Sequence, residues 1–252
     1  MKMREILLYF SFKYEGDFDK VCSAIAKKEP VDEQKLKEYV ESLNYDYITL
    51  LDDDYPSFFK CLAKPPFVIY LVGNKRYLND NLKVAIIGSR KNTLYGKKAC
   101  EYVTKELVAE NVTIISGMAK GIDGISQQET INNNGKTIGI IGSGFDKFYP
   151  KENLPLYNTL KEKGLVISEY PPFVNASKDK FLRRNSLIAA LANKIVVIEA
   201  YKRSGTLNTV MNGLELGKDI YCVPCLLFKD SICNKLIKEG ASIVTCASDI
   251  LQ

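Results

Sequence analysis

From Lys83 onward, short runs of β-branched and aliphatic residues alternate with stretches typical of helices. Runs that are apolar throughout are typical of strands buried on both faces of a parallel sheet. The predicted strands are Val84–Ile87, Val112–Ser116, Thr137–Ile141, Leu165–Ser168, Ile195–Ile198, Ile220–Val223 and Ser242–Thr245. The predicted helices cover 95–110, 122–134, 153–163, 184–193, 206–216 and 232–239. The alternation predicts an α/β fold with a Rossmann-like, doubly wound, mostly parallel sheet.

The first 81 residues have a different pattern. Short helices are predicted at 3–12, 17–28 and 32–43, and the pair Pro65-Pro66 then favours an extended backbone. We therefore predict three parts. They are a small helical N-terminal region (1–45), an extension that joins the sheet as a candidate edge strand (46–81), and a Rossmann-like domain (82–252).

The formal charge of +5 is unevenly distributed. Residues 1–81 carry 12 basic and 14 acidic residues, whereas residues 82–252 carry 23 and 16. The basic surplus of the larger segment favours an anionic partner. The sequence has no apolar run long enough to span a membrane and no small-residue cleavage site near its N-terminus, so we predict a cytoplasmic protein.

The sequence contains no histidine, which removes the commonest general base and the commonest metal ligand. Seven cysteines in an irregular pattern predict reduced thiols. Cys222 and Cys225 have the spacing of a redox pair or half a zinc site, but no second such pair accompanies them. Catalysis would need lysine, aspartate, glutamate, tyrosine or cysteine alone. We predict no metal and no cofactor, and we expect a non-catalytic protein.

Ligands of open parallel sheets bind beyond the carboxyl ends of the strands. Five loops at those ends combine glycine, hydroxyl or basic residues. They are Gly88-Ser89-Arg90-Lys91, Ser116 to Asp123, Gly142-Ser143-Gly144-Phe145, a loop that ends in Arg183-Arg184-Asn185 at a predicted helix start, and Arg203-Ser204-Gly205-Thr206.

Such loops suit phosphate. Glycine lets the backbone approach an anion, helix N-termini offer N–H groups, and arginine or lysine adds charge-assisted hydrogen bonds. The candidate residues for binding such a phosphate-bearing ligand are Gly88, Ser89, Arg90, Gly117, Lys120, Gly121, Gly142, Ser143, Gly144, Phe145, Arg183, Arg184, Asn185, Ser204, Gly205 and Thr206. We expect their basic side chains to form one continuous groove.

Neither Gly88-Ser89-Arg90 nor Gly142-Ser143-Gly144 has the spacing of the dinucleotide fingerprint, and no Walker-type loop occurs. A polymer with repeated phosphates explains basic residues on several loops better than a mononucleotide does. Phe145, Phe148 and Tyr149 could stack on bases, with core packing as the equally weighted alternative.

Seven motifs, in order and spacing, resemble the DprA/Smf DNA-processing family over residues 46–252. They are Val84 to Arg90, Tyr95-Gly96, Ser116 to Asp123, Gly142-Ser143-Gly144 with Tyr149 to Asn153, Ser168 to Pro172, Arg183-Arg184-Asn185 with Ile188-Ala189, and Glu199-Ala200 with Ser204-Gly205-Thr206. The chain departs from the family pattern at Leu182, Ser186, Gln127 and Cys225, and no winged-helix-like segment follows Gln252.

The resemblance implies a protein that binds single-stranded DNA in a basic pocket, forms a homodimer, protects incoming DNA and loads the RecA recombinase during natural transformation. The family's DNA-binding basic residues correspond to Arg90, Lys120, Arg183 and Arg184. The alternative is a nucleotide-binding sensor or a nucleotide phosphoribohydrolase-like enzyme, with Asp123, Glu169 or Glu199 as acids.

Overall fold

A single sheet runs through the part of the chain that the computed structural model describes, which is residues 2–201, 204–226 and 231–252. The α/β, Rossmann-like fold is therefore confirmed. Within the described residues its nine strands are β1 (Asp46–Thr49), β2 (Val68–Gly73), β3 (Lys83–Ile87), β4 (Thr113–Ser116), β5 (Thr137–Ile140), β6 (Leu165–Ser168), β7 (Lys194–Val197), β8 (Asp219–Cys222) and β9 (Ser242–Ile243).

The strand order is β1-β2-β6-β5-β4-β3-β7-β8-β9. The seven strands from β6 to β9 in this order are parallel, and β1 and β2 are added antiparallel at one edge. The order reverses at β3, which pairs with β4 on one side and with β7 on the other. The loops after the neighbouring strands β3 and β7 therefore lead to opposite faces of the sheet. A crevice opens between them at the carboxyl edge.

The helices lie on both faces of the sheet. They are α1 (Met3–Lys13), α2 (Phe18–Ala26), α3 (Glu33–Ser42), α4 (Ser57–Lys60), α5 (Leu94–Ala109), α6 (Ile122–Asn132), α7 (Leu154–Lys163), α8 (Lys178–Leu191), α9 (Gly205–Glu215), α10 (Cys233–Lys238) and α11 (Ser248–Leu251). Successive residues of β3 point to opposite faces: Ala85 packs in the layer of α8 and α9, and Ile86 in the layer of α5 and α6. Burial on both faces explains why the strands are apolar throughout.

The N-terminal helices pack on the antiparallel edge. The buried hydroxyls of Ser11 on α1 and Tyr70 on β2 are 2.9 Å apart, and the Phe12 ring lies edge-on to Tyr70. Segment 46–81 contributes two strands to the sheet, where the sequence predicts one candidate edge strand.

Helix α8 begins at Lys178, six residues before its predicted start. The Ser177 hydroxyl oxygen accepts a hydrogen bond from the backbone N–H of Lys180 at 3.4 Å, which caps the helix. Consequently Arg183 and Arg184 lie inside the helix rather than at its start, and consecutive helical positions point about 100° apart.

Candidate nucleic-acid interface

A cleft of about 920 Å³ opens at the point where the strand order reverses. It is lined by the loops after β3 and β7 and by the first two turns of α8 and α9. We call it the switch-point cleft. Eight of the sixteen candidate residues line it, namely Gly88, Ser89, Arg90, Arg184, Asn185, Ser204, Gly205 and Thr206.

The loop after β3 is held by its backbone. Ser89 donates its N–H to the carbonyl of Glu199 at 2.6 Å, and its own carbonyl accepts the N–H of Ile122 at 3.1 Å. A Cβ on Gly88 would overlap Ile122, and Gly121, at φ +77°, lies against the Ser89 carbonyl. These contacts fix the loop and leave the Arg90 side chain exposed at the cleft.

The N-terminus of α9, which forms one wall of the cleft, is hydrogen-bonded to the loop after β3. The Thr206 hydroxyl donates to the carbonyl of Gly88 at 3.0 Å, and Asn185 donates its side-chain N–H to the carbonyl of Gly205 at 3.2 Å. Ser204 has a buried hydroxyl without a hydrogen-bond partner in the described part of the chain. Arg203, which the sequence places in this loop, lies outside the described residues.

Arg184 is buried and belongs to the cleft wall rather than to a phosphate-binding surface. Its guanidinium donates to the carbonyl of Gly117, directly after β4, and at 2.7 Å to the carbonyl of Ile140 at the end of β5. Burial lowers the pKa of Arg184 to about 10, and the nearby carboxylate of Asp123 opposes the shift. Arg184 is therefore charged at neutral pH, and its hydrogen bonds tie α8 to the sheet edge.

Asp123 lies beside this guanidinium, in the first turn of α6. Burial raises the pKa of its carboxyl group, and the positive charge of Arg184 opposes the rise. The second acid of the region, Glu199, accepts the backbone N–H of Thr93 at 2.8 Å and the hydroxyl of Tyr201. Both acids thus have partners within the protein.

Arg183 points away from the switch-point cleft. Its Nε donates to Glu169 at 3.1 Å and its Nη2 to the carbonyl of Lys64, and it lines a separate cleft beside α1 and α2. The expectation of one groove that holds Arg90 and Arg183 together is therefore wrong. The reason is the early start of α8, which places Arg183 and Arg184 on different sides of one helix.

Lys120 follows Ala119, which lines the switch-point cleft, and its side chain is 48% exposed. Its ammonium group forms an ion pair with Glu152, and this hydrogen bond raises the pKa of Lys120. Because both partners are exposed, the pair is weak and an incoming phosphate can compete for the lysine.

The loop after β5 supports the cleft without lining it. Gly142, Ser143, Gly144 and Phe145 are all buried. The Phe145 ring packs edge-on against Tyr45, which places it in the core, and Phe148 stacks on Tyr157. A Cβ on Gly142 would come within 2.9 Å of the Phe181 ring, so this glycine makes room for an aromatic wall.

Phe181 and Lys178 are residues of this region that were not among the candidates from the sequence. Phe181 lines the cleft with the Arg90 guanidinium carbon 5.5 Å from its ring centroid, and the centroid of the half-exposed Tyr149 ring lies 5.8 Å from that of Phe181. Lys178 is exposed at the first position of α8. Ser177, a good N-cap residue, is the sequence signal that would have found both.

A cleft whose lining combines an exposed arginine, an aromatic wall and the hydroxyl-bearing residues Ser177, Ser204 and Thr206 suits a phosphate chain with stacked bases. The model of the DNA recombination-mediator protein A family matches residues 46–252. The chain belongs to this family. The DNA processing protein DprA of Bacillus subtilis is 35% identical over 207 residues, which are 81% of this chain and 70% of the relative. The Streptococcus pneumoniae protein is 38% identical over 214 residues, 84% and 75% of the two chains.

Solved structures agree with this membership. DNA processing protein A from Streptococcus pneumoniae superposes with a TM-score of 0.82 at 35% identity, over 92% of this chain and 81% of that one. The Helicobacter pylori protein, whose structure concerns its single-stranded DNA binding mode, has a TM-score of 0.75 at 30% identity, over 82% of this chain and 95% of that one.

Every helix that the structure describes is too short or too polar to cross a membrane.

Proposed function

We propose that this chain binds single-stranded DNA in the switch-point cleft and catalyses no reaction on it. The observation that carries the proposal is the meeting of exposed Arg90 with the Phe181 ring at the N-terminus of α8. A guanidinium attracts phosphate, and an aromatic face stacks on any base, so the pair binds a strand with little sequence preference. The binding mode studied in the Helicobacter pylori relative supports this ligand.

The partners of two of the three candidate acids, Glu199 and Asp123, support binding without catalysis. Glu199 accepts hydrogen bonds from Thr93 and Tyr201, and Asp123 lies beside buried Arg184. Neither carboxylate is free to act as a general base, and the chain has no histidine. These contacts disfavour Asp123 and Glu199 as the acids of the phosphoribohydrolase-like alternative. Its third candidate acid, Glu169, lies outside the switch-point cleft, in the separate cleft beside α1 and α2.

We further propose that the protein acts as a cytoplasmic homodimer that protects incoming DNA and loads RecA during natural transformation. Membership of the DNA recombination-mediator family supports this role. Light scattering should give twice the mass of one chain. RecA should assemble faster on oligonucleotide coated with this protein than on bare oligonucleotide.

Fluorescence anisotropy of labelled dT12 across a salt series tests the binding proposal. A plot of the logarithm of the association constant against the logarithm of the salt concentration should have a slope of about −0.7 for each neutralised phosphate. The mononucleotide dTMP should compete poorly. Arg90→Glu should weaken binding and flatten the slope. Lys238→Glu makes the same charge change at the end of α10, near the amino edge of the sheet, and should bind as the wild type does. Equal affinity of the two variants, or efficient competition by dTMP, would overturn the proposal.

A further inference from the structure

A second cleft, of about 660 Å³, lies between the turn that joins α1 to α2 and the other side of α8. Its lining includes Tyr14, Phe18, Glu169, Tyr170, Lys180 and Arg183. We call it the N-terminal cleft. Ser177, the cap of α8, lines both clefts, so the N-terminus of α8 is the shared border between them.

The floor of the N-terminal cleft contains a carboxylate with an unmet hydrogen-bonding capacity. Glu169 is 5% exposed, and its Oε2 accepts from Arg183 at 3.1 Å. Its other oxygen, Oε1, is buried and accepts no hydrogen bond of ordinary length and angle in the described part of the chain. The Tyr170 hydroxyl lies near this carboxylate but does not satisfy Oε1 in that way. Buried acceptors of this kind are rare in native proteins, and a ligand that donates a hydrogen bond would satisfy this one.

The charge balance of the cleft argues against phosphate as that ligand. Two of the lysines on its wall already pair with acids of the same wall, Lys20 with Asp17 at 3.7 Å and Lys64 with Asp19 at 2.5 Å. A carboxylate at the floor repels an anion but accepts an N–H group. The aromatic side chains of Tyr14, Phe18 and Tyr170 in the lining suit a flat apolar group.

We propose that the N-terminal cleft binds one base of the strand and that Glu169 accepts a hydrogen bond from its exocyclic amino group. The proposal rests on the proposed function, because the strand must first occupy the switch-point cleft and cross the N-terminus of α8. Carboxylates accept from the N4 amino group of cytosine, whereas thymine presents the O4 oxygen there and is repelled. The chain thus prefers cytosine to thymine at one position of the bound strand.

A cytosine scan tests the proposal in the wild-type protein. Each thymine of labelled dT12 is replaced in turn by deoxycytidine, and the affinity of each oligonucleotide is measured by anisotropy. One position, or two adjacent ones, should bind about tenfold more tightly than dT12. N4,N4-dimethyldeoxycytidine at that position carries no N–H donor and should abolish the gain. Equal affinity for every member of the scan would overturn the proposal.

The variant Glu169→Gln tests whether the preference for cytosine arises in the N-terminal cleft. The amide keeps the shape of the side chain but removes the charge that repels thymine, so the tenfold preference for cytosine should disappear. Glu110→Gln, an exposed change at the end of α5, should keep it. A preference that survives Glu169→Gln would locate base recognition elsewhere and overturn the assignment.

The two proposals fail in different ways. If dT12 binds with an Arg90-dependent salt slope but the cytosine scan is flat, only the base subsite is wrong. If dT12 binding is insensitive to salt and to Arg90→Glu, the proposed function itself is wrong.

Discussion

The guanidinium of Arg184 occupies the space that a side chain on Gly117 would need. It reaches this place from α8 and donates to the carbonyl of Gly117, directly after β4. The glycine of the loop after β4 is therefore required by the packing of a buried arginine. A phosphate is not needed to explain it.

Gly117→Ala should destabilise the protein by about 1–3 kcal/mol, because the new methyl group must displace a well-packed guanidinium. Urea unfolding followed by circular dichroism measures this. Gly205→Ala is the matched control, since the nearest atom to its Cβ would be 3.9 Å away in ordinary contact. The control should unfold at the wild-type urea concentration or slightly above it, and equal losses in the two variants would contradict the packing argument.

Arg184→Gln and Arg90→Gln should separate stability from binding. Removal of Arg184 leaves Asp123 buried without its neighbouring positive charge and costs about 3–5 kcal/mol. Arg90 is exposed, so its loss should weaken dT12 binding at an unchanged free energy of unfolding. Urea unfolding and anisotropy on the same samples check both. A stable Arg184→Gln variant with impaired binding would mean that Arg184 contacts the DNA and has no major role in stability.

The contrast between these arginines shows what sequence could and could not predict. The seven parallel strands were predicted to within two residues at each end, because their apolar runs are a local signal. The direction of Arg184 depends on carbonyls 67 and 44 residues away, Gly117 and Ile140, which no local pattern encodes. The predicted start of α8 was six residues too late, so Phe181 was expected in a loop. A loop position gives no expected direction for the side chain, and Phe181 was therefore not recognised as part of the cleft wall.

Phe181→Ala should weaken dT12 binding by about 1–3 kcal/mol through loss of base stacking. The salt slope should not change, because the ring contacts no phosphate. Tyr102→Ala, an exposed aromatic residue on α5, should bind with wild-type affinity. A flattened slope in Phe181→Ala would mean that the ring acts by positioning Arg90 instead.

Glu152→Gln should strengthen binding. The carboxylate holds the ammonium group of Lys120 and would repel a nearby phosphate, so its loss should raise dT12 affinity about two- to fivefold, the range typical of an exposed ion pair. The salt slope should steepen by up to about 0.7 as Lys120 gains a phosphate contact. Anisotropy of the single variant and of Glu152→Gln with Lys120→Gln measures the coupling, and an equal gain in both would show that Lys120 takes no part.

Glu169 should make stability depend on pH in a defined direction. Burial raises the pKa of its carboxyl group above the ordinary value of 4.5, and Arg183 opposes the rise. The folded state therefore holds a proton that the unfolded chain releases, so this group's contribution to folding is full below pH 4.5 and is lost as pH rises through the raised folded-state pKa. Relative to Glu169→Gln, which cannot titrate, the wild type should lose free energy of unfolding across that interval. Urea unfolding of both proteins from pH 4 to pH 8 measures the difference, and a wild type that gains stability over the variant would mean that Arg183 outweighs burial.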